Sequence, residues 1–217
     1  MSQSNIGLVP LSDLQYYNPN VPDQVEGIKW NFYDSIAYPS AGSTQLVFFQ
    51  TPEGQNGKTL ADTNMTTAGM LPSPQAFLVT GLSFYFLPGE LPSTGPGAAD
   101  LSNFVNDVYA FWSSNGWMSF SIGSKVYLQE APLFKMPPEN GLTGFAALSN
   151  ASTAAADEAV SVAYATAAGT PYDLNPPLLL PTTQNFKISL NWPAAAPISA
   201  DAKVYCNLAG YLYRNSQ

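Results

Sequence analysis

Histidine, the side chain that most often moves protons near neutral pH, is absent from the chain. Its absence removes Ser-His-Asp and Cys-His nucleophilic catalysis, a histidine general base and nearly every catalytic zinc site. The run Gly54 to Thr59 ends in Gly57-Lys58-Thr59 and invites comparison with a phosphate-binding loop. That motif needs glycine where Pro52 stands, and a helix whose N-terminus would face the phosphate; no helical pattern follows. Glu53, Asp62 and Asn64 are oxygen donors on one stretch, but their spacing matches no calcium loop of the EF-hand kind. Asp62 and Asn64 are more simply read as side chains that bond their own backbone and fix a loop. Two carboxylates suffice for glycoside hydrolysis, yet Asp157 and Glu158 are adjacent and would point to opposite sides of a strand. The lone Cys206 has no cysteine to pair with, and its alternating neighbours read as a buried small hydrophobe. No catalytic residue, cofactor or metal site is assigned from these patterns. Exposed Trp and Tyr side chains that stack on sugars are the remaining chemical option.

The elements that would position such residues are mostly strands. Met118, Phe120 and Ile122 alternate with serines, Gly123-Ser124 interrupts, and Val126 and Leu128 alternate with Lys125, Tyr127 and Gln129. This predicts a hairpin on a type II′ turn, with Gly123 supplying φ > 0 and Pro132 stopping the second strand. Gln45 to Gln50 reads as a short strand covered on both sides, Phe77 to Leu87 as another, and Val160, Val162 and Tyr164 as a third. Leu178 to Leu180 is a brief strand between prolines, and Phe186, Ile188 and Leu190 alternate before Trp192-Pro193. The longest strand places Val204, Cys206, Leu208, Gly210 and Leu212 on one face and ends the chain, which predicts a central position in a sheet. Leu101, Phe104, Val105, Val108 and either Phe111 or Trp112 recur with helical spacing, predicting one helix over Ala98 to Ser114. Asp157-Glu158 is read as the end of a short helical turn. Residues Met1 to Ser43 carry Pro10, Pro19, Pro22 and Pro39 with Tyr16, Tyr17, Trp30, Phe32, Tyr33 and Tyr38, and are read as an extended arm lying on its own domain or on a neighbour. Thr51 to Pro74 is a long loop, of the length that is usually functional or interfacial.

Composition agrees with this division. The chain of 217 residues, with 19 prolines, 16 glycines and 13% aromatics, reads as one all-β domain of short strands joined by long loops. About eight strands with one helix predict an eight-stranded antiparallel jelly roll over residues 44–217, preceded by the arm at 1–43. Charged residues are only 10% of the chain, against about 25% in an average soluble domain, which suits a surface covered by neighbours. Seven basic against fifteen acidic residues, a net charge of -8, argue against direct nucleic-acid binding. Met1 to Pro10 has neither a cationic segment nor an apolar run, and no stretch approaches the ~20 apolar residues that span a bilayer, so synthesis in a cytoplasm is expected. The sequons at Asn64 and Asn150 would matter only in a secreted eukaryotic protein.

With its aromatic Pro-rich arm, its loop from Phe49-Gln50-Thr51-Pro52 to Asp62-Thr63-Asn64, its hairpin through Ile122-Gly123-Ser124-Lys125 and its last strand Gly210-x-Leu212-x-Arg214, the sequence resembles major capsid proteins of small tailless icosahedral viruses, phages especially. The resemblance implies a jelly roll that oligomerises symmetrically, with a trimer as the expected unit, and tiles a virion shell alongside other virion proteins. It implies no cofactor and a location in the virion. Lacking a basic arm, such a shell would have its genome screened by another protein or an internal membrane, or would touch it little. Tyr16, Tyr17, Trp30, Phe32 and Tyr33 in the arm, and Glu53, Lys58, Asp62 and Asn64 in the long loop, are the expected subunit contacts. A carbohydrate- or receptor-binding β-sandwich, as in a virion spike or lectin, is the alternative expectation. A two-carboxylate glycosidase is a third, which nothing in the spacing favours.

Overall fold

A computed structural model describes residues 25–89, 107–136, 140–142, 146–148, 160–162, 166–168 and 170–215. Its strands, numbered in chain order, are β1 (Val25–Tyr38), β2 (Gln45–Phe48), β3 (Ala76–Leu87), β4 (Trp117–Ile122), β5 (Lys125–Glu130), β6 (Asn140–Leu142), β7 (Ala146–Leu148), β8 (Val160–Val162), β9 (Thr166–Ala168), β10 (Tyr172–Leu180), β11 (Phe186–Asn191) and β12 (Ala202–Asn215). Residues 107–113 form the described part of the helix, α1. Eight of these strands build two antiparallel four-stranded sheets, ordered β1-β12-β3-β10 and β2-β11-β4-β5. The pairing is nested. The first of the eight pairs with the last (β1 with β12), the second with the seventh (β2 with β11), the third with the sixth (β3 with β10), and the fourth with the fifth (β4 with β5). One long antiparallel ribbon, bent at Gly123-Ser124, thus folds over on itself, and β12 against β3 and β11 against β4 close the two sheets. That is the jelly roll.

Alternation explains the core between the sheets. Met118, Phe120 and Ile122 of β4, Ile188 and Leu190 of β11, and Val204, Cys206 and Leu208 of β12 are all buried, because every second side chain of a strand faces the same way. At one end of the sandwich Tyr38, Phe86, Phe111 and Trp192 pack together, with the Phe86 and Phe111 rings stacked at 4.5 Å. Phe111, rather than Trp112, is therefore the residue by which α1 closes that end, and Trp112 flanks it. The expected first half of the helix lies outside the described residues, as do Asp157-Glu158, Tyr16 and Tyr17. Gly123 has φ of 58° and faces a two-residue connection between Ile122 and Lys125, as the hairpin reading requires.

Several expectations are corrected. Val25–Tyr38 is no arm outside the domain: all fourteen residues pair with β12, so the sandwich begins by Val25 and not after Ser43. The alternation Ile28, Phe32, Ile36, Tyr38 is interrupted on its buried face by Asp34, which disguises the strand. The count of eight strands holds with altered membership: β1 is in the sandwich, while β8 pairs with β7 in a separate two-stranded sheet. β2 is not covered on both faces, since Leu46 and Phe48 are buried but Gln45 is exposed and Val47 half-buried. Its unbroken apolar run arises because Phe49 takes φ of 66°, which turns a second consecutive phenyl ring into the core. β10 is longer than expected, starting at Tyr172 and accommodating Pro176-Pro177 at a break in its pairing with β3. Proline is tolerated there because β10 is an edge strand. In β5 the register slips after Phe120, leaving Val126 and Tyr127 exposed.

Candidate functional site

β1 is the outer strand of its sheet, and an outer strand presents unpaired backbone groups. The long loop after β2 covers part of that edge. Asn64 acts as a substitute strand: its side-chain carbonyl accepts from the Tyr33 N–H at 3.0 Å, its Nδ2 donates to the Asn31 carbonyl at 2.8 Å, and its own N–H donates to the Tyr33 carbonyl at 3.4 Å. The Thr63 hydroxyl donates to the same Tyr33 carbonyl at 3.0 Å, and Thr63 bridges to Asp34. Tyr33 in turn donates its hydroxyl to the Leu60 carbonyl at 2.5 Å.

Two ion pairs fasten the loop further. Asp34, with a side chain 1% exposed, accepts from Lys58 Nζ at 2.5 Å through Oδ1 and from the Phe49 N–H at 2.6 Å through Oδ2. The Phe49 amide is available because the left-handed turn at that residue takes it out of the ladder. Lys58 is brought there by a tight turn in which Gly54, Asn56 and Gly57 all have positive φ and the Gly54 N–H donates to the Lys58 carbonyl. The glycines that suggested a phosphate loop thus serve a reversal of the chain. Asp62 accepts from Lys203 Nζ at 2.8 Å and Ser35 Oγ at 3.1 Å on one oxygen, and from Thr59 N and Oγ1, both at 3.1 Å, on the other. Burial pushes the Asp34 carboxyl above the ordinary aspartate range, against the pull of Lys58, the Phe49 amide and Thr63. Asp62 moves the other way: Lys203 first, then the Thr59 amide, hold it well below that range. Its pairing raises Lys203.

Each carboxylate is matched by a lysine, so these groups clamp a loop to a sheet, and neither carboxylate stands ready as an unpaired acid or base. Among the described residues no group of three or more His, Cys, Asp or Glu is placed to hold a metal ion, and no helix is long and apolar enough to cross a membrane. Two clefts flank the clamp. One, of about 440 Å³, lies over both ion pairs; the other, of about 510 Å³, is lined by Lys29, Trp30, Asn31, Tyr33, Leu60 and Asn64.

No protein-family model, curated protein or solved structure matches this chain.

The candidate contact residues therefore have to be weighed on geometry. Trp30 is 41% exposed and Glu53 is exposed, so both are open to a neighbour. Phe32 is not: it is 6% exposed, with its ring edge-on to Phe77 at 4.9 Å, and it belongs to the core. Tyr33, Lys58, Asp62 and Asn64 are brought together, but as parts of the clamp. Sequence reasoning missed their partners Asp34, Ser35 and Lys203. The signal for Asp34 was present, as a carboxylate at a buried phase of an apolar alternation; Lys203, on the last strand, gave none.

Proposed function

We propose that the chain is a structural subunit of a tailless icosahedral virus shell, assembling through a symmetric homo-oligomer, a trimer in the simplest case, and doing no chemistry of its own. The observation that carries this reading is the complete nested jelly roll in a chain of which only 10% is charged. A fold alone does not name a function; the scarcity of charge is what favours a surface meant for neighbours. Tyr109, Phe134, Val126 and Tyr127, between 51% and 73% exposed, supply apolar area that burial against another subunit would stabilise by about 25 cal/mol per Å² before association costs. Direct contact with packaged nucleic acid is not part of the proposal, since the chain has only seven basic residues and, among the described residues, Lys58, Lys135 and Lys203 are held in ion pairs.

Electron microscopy and sedimentation of the purified protein test the reading. Rings, trimers or shells are expected, and monodisperse monomers at concentrations of tens of micromolar, about where weak specific contacts persist, would sink it. A deletion ending before Val25 keeps all eight sandwich strands, whereas one reaching Pro39 removes β1. Loss of residues 1–24 is expected to weaken assembly and leave the subunit folded.

A further inference from the structure

Four strands stand at the outer ends of the two four-stranded sheets, and three of them are blunted against further pairing. β1 carries the Asn64 and Thr63 contacts of the clamp, and β10 is broken at Pro176-Pro177. β2 has only four residues, and the next amide, that of Phe49, is given to Asp34. β5 is different. Its six residues, Lys125–Glu130, include no proline, and Lys125, Val126, Tyr127 and Gln129 are exposed, Val126 at 58% and Tyr127 at 51%. An outer strand with open backbone groups and apolar side chains is a template for another strand.

The slip in register at Tyr127 decides which template. Lys125, Leu128 and Glu130 stand opposite Ile122, Phe120 and Met118 and share their side of the sheet, while Val126 and Gln129 stand opposite Ser121 and Ser119 on the other side. About the Tyr127–Leu128 peptide, the ends of β5 therefore present the same order of faces in both directions. A second copy related by a two-fold axis there would set Lys125 against Glu130 and Val126 against Gln129, each pair on a common face, and would do so twice. Opposite charges meet in this register, and Glu130 is already oriented: its Oε1 accepts from Lys135 Nζ at 3.1 Å and its Oε2 from the Tyr172 hydroxyl at 3.2 Å. A carboxylate offers about four lone-pair sites, so it can accept from a second lysine as well. We propose that β5 pairs antiparallel with β5 of a second copy, centred on the Tyr127–Leu128 peptide, so that the β2-β11-β4-β5 sheet runs on from one subunit into the next. This rests on the assembly reading above and names one two-fold contact within it.

Val126→Cys and Gln129→Cys would be made singly in the full chain, then mixed and oxidised; the one native thiol, Cys206, is buried. In the proposed register, position 126 of one copy and 129 of the other lie about 5 Å apart, within disulfide reach. Like positions are offset by about 10 Å along the strand and are out of reach. The mixture is expected to give a disulfide-linked dimer on non-reducing gels, and each variant alone to stay uncrosslinked. Lys125→Glu is expected to weaken dimerisation about fivefold or more in sedimentation, since two exposed ion pairs are lost together, and mixing it with Glu130→Lys to restore it. The cysteine variants leave Glu130 and Lys135 in place, so the cross-link reads the register even if Glu130→Lys loosens the end of the strand. No mixed cross-link, cross-linking as strong within one variant as between the two, or a dimer indifferent to Lys125→Glu would overturn the proposal. Shells or rings without the mixed cross-link would overturn this contact and leave the assembly reading standing. Cross-linked dimers with no larger assembly would uphold the contact and sink the shell.

Discussion

Replacing Lys58 by methionine isolates the charge in the buried pair, because methionine keeps much of the apolar stem of the lysine while removing the ammonium. The Asp34 side chain is 1% exposed and that of Lys58 17%, so the orphaned carboxylate could not reach water. It would have two options. Remaining charged and unpaired costs about 3–5 kcal/mol, the usual loss when one partner of a buried pair is removed. Taking up a proton instead costs about 1.4 kcal/mol for every pH unit above the carboxyl's value in the unaltered protein, which already lies above the ordinary aspartate value near 3.9, hence less than about 4 kcal/mol near pH 7 and less than about 1.5 near pH 5. The cheaper route sets the loss. The expected destabilisation is therefore below about 4 kcal/mol near pH 7 and shrinks to below about 1.5 near pH 5, measured as the difference in urea unfolding free energy from the unaltered protein at each pH. The sign follows from the raised carboxyl: a folded pKa above the unfolded one gives a contribution that is complete below about 3.9 and lost as pH rises through the folded value. Removing Lys58 raises that folded value further and so moves the loss into the neutral range. An equal deficit at both pH values would refute the reasoning, since it would mean that Lys58 acts by packing; so would a deficit under about 1 kcal/mol near pH 7.

Asp62→Ala should show the opposite pH trend. Its carboxyl is depressed, so its stabilisation of about 1 kcal/mol is present above about pH 4 and vanishes as pH falls through the folded value; paired urea melts between neutral and strongly acidic pH should show the gap to the unaltered protein closing on acidification. Gly210→Ala tests close packing of β12 on β3, because an added Cβ would run into the Leu78 carbonyl and lie 3.0 Å from the Phe77 ring. A loss of about 3 kcal/mol or more is expected, against about 1–2 for Gly54→Ala, where space is open and only the positive φ is strained; equal melting-temperature shifts for the two would contradict this.

Much of the sandwich was legible because β4, β11 and β12 alternate cleanly, and the Gly-Ser turn names its own geometry. β1 was not, since a carboxylate occupies a position that alternation reserves for an apolar side chain. β10 was half legible: Pro176 and Pro177 look like punctuation until the strand is known to be an edge. The loop from Thr51 to Pro74 was legible as a loop, and Lys58, Asp62 and Asn64 were read as subunit contacts, whereas the structure shows them in contacts within the chain. Their roles could not be read, because the Lys58–Asp34, Asp62–Lys203 and Asn64–Asn31 contacts join residues 24, 141 and 33 positions apart. Nothing local writes such pairings; they follow only once β1 lies beside β12.

The nested ribbon bent at Gly123-Ser124 also bears on how the chain reaches its fold. Sequence separation across the pairs grows outward from the turn, from Ile122 with Lys125 to Val25 with Asn215. Closing the hairpin shortens the effective loop for each pair outside it, so the entropic cost of every later closure falls as the inner ones form. Early structure should then concentrate around β4 and β5, while β1 docks on β12 late. Substitutions near Gly123 would slow folding, whereas those in β1, including at the Asp34 clamp, would chiefly hasten unfolding.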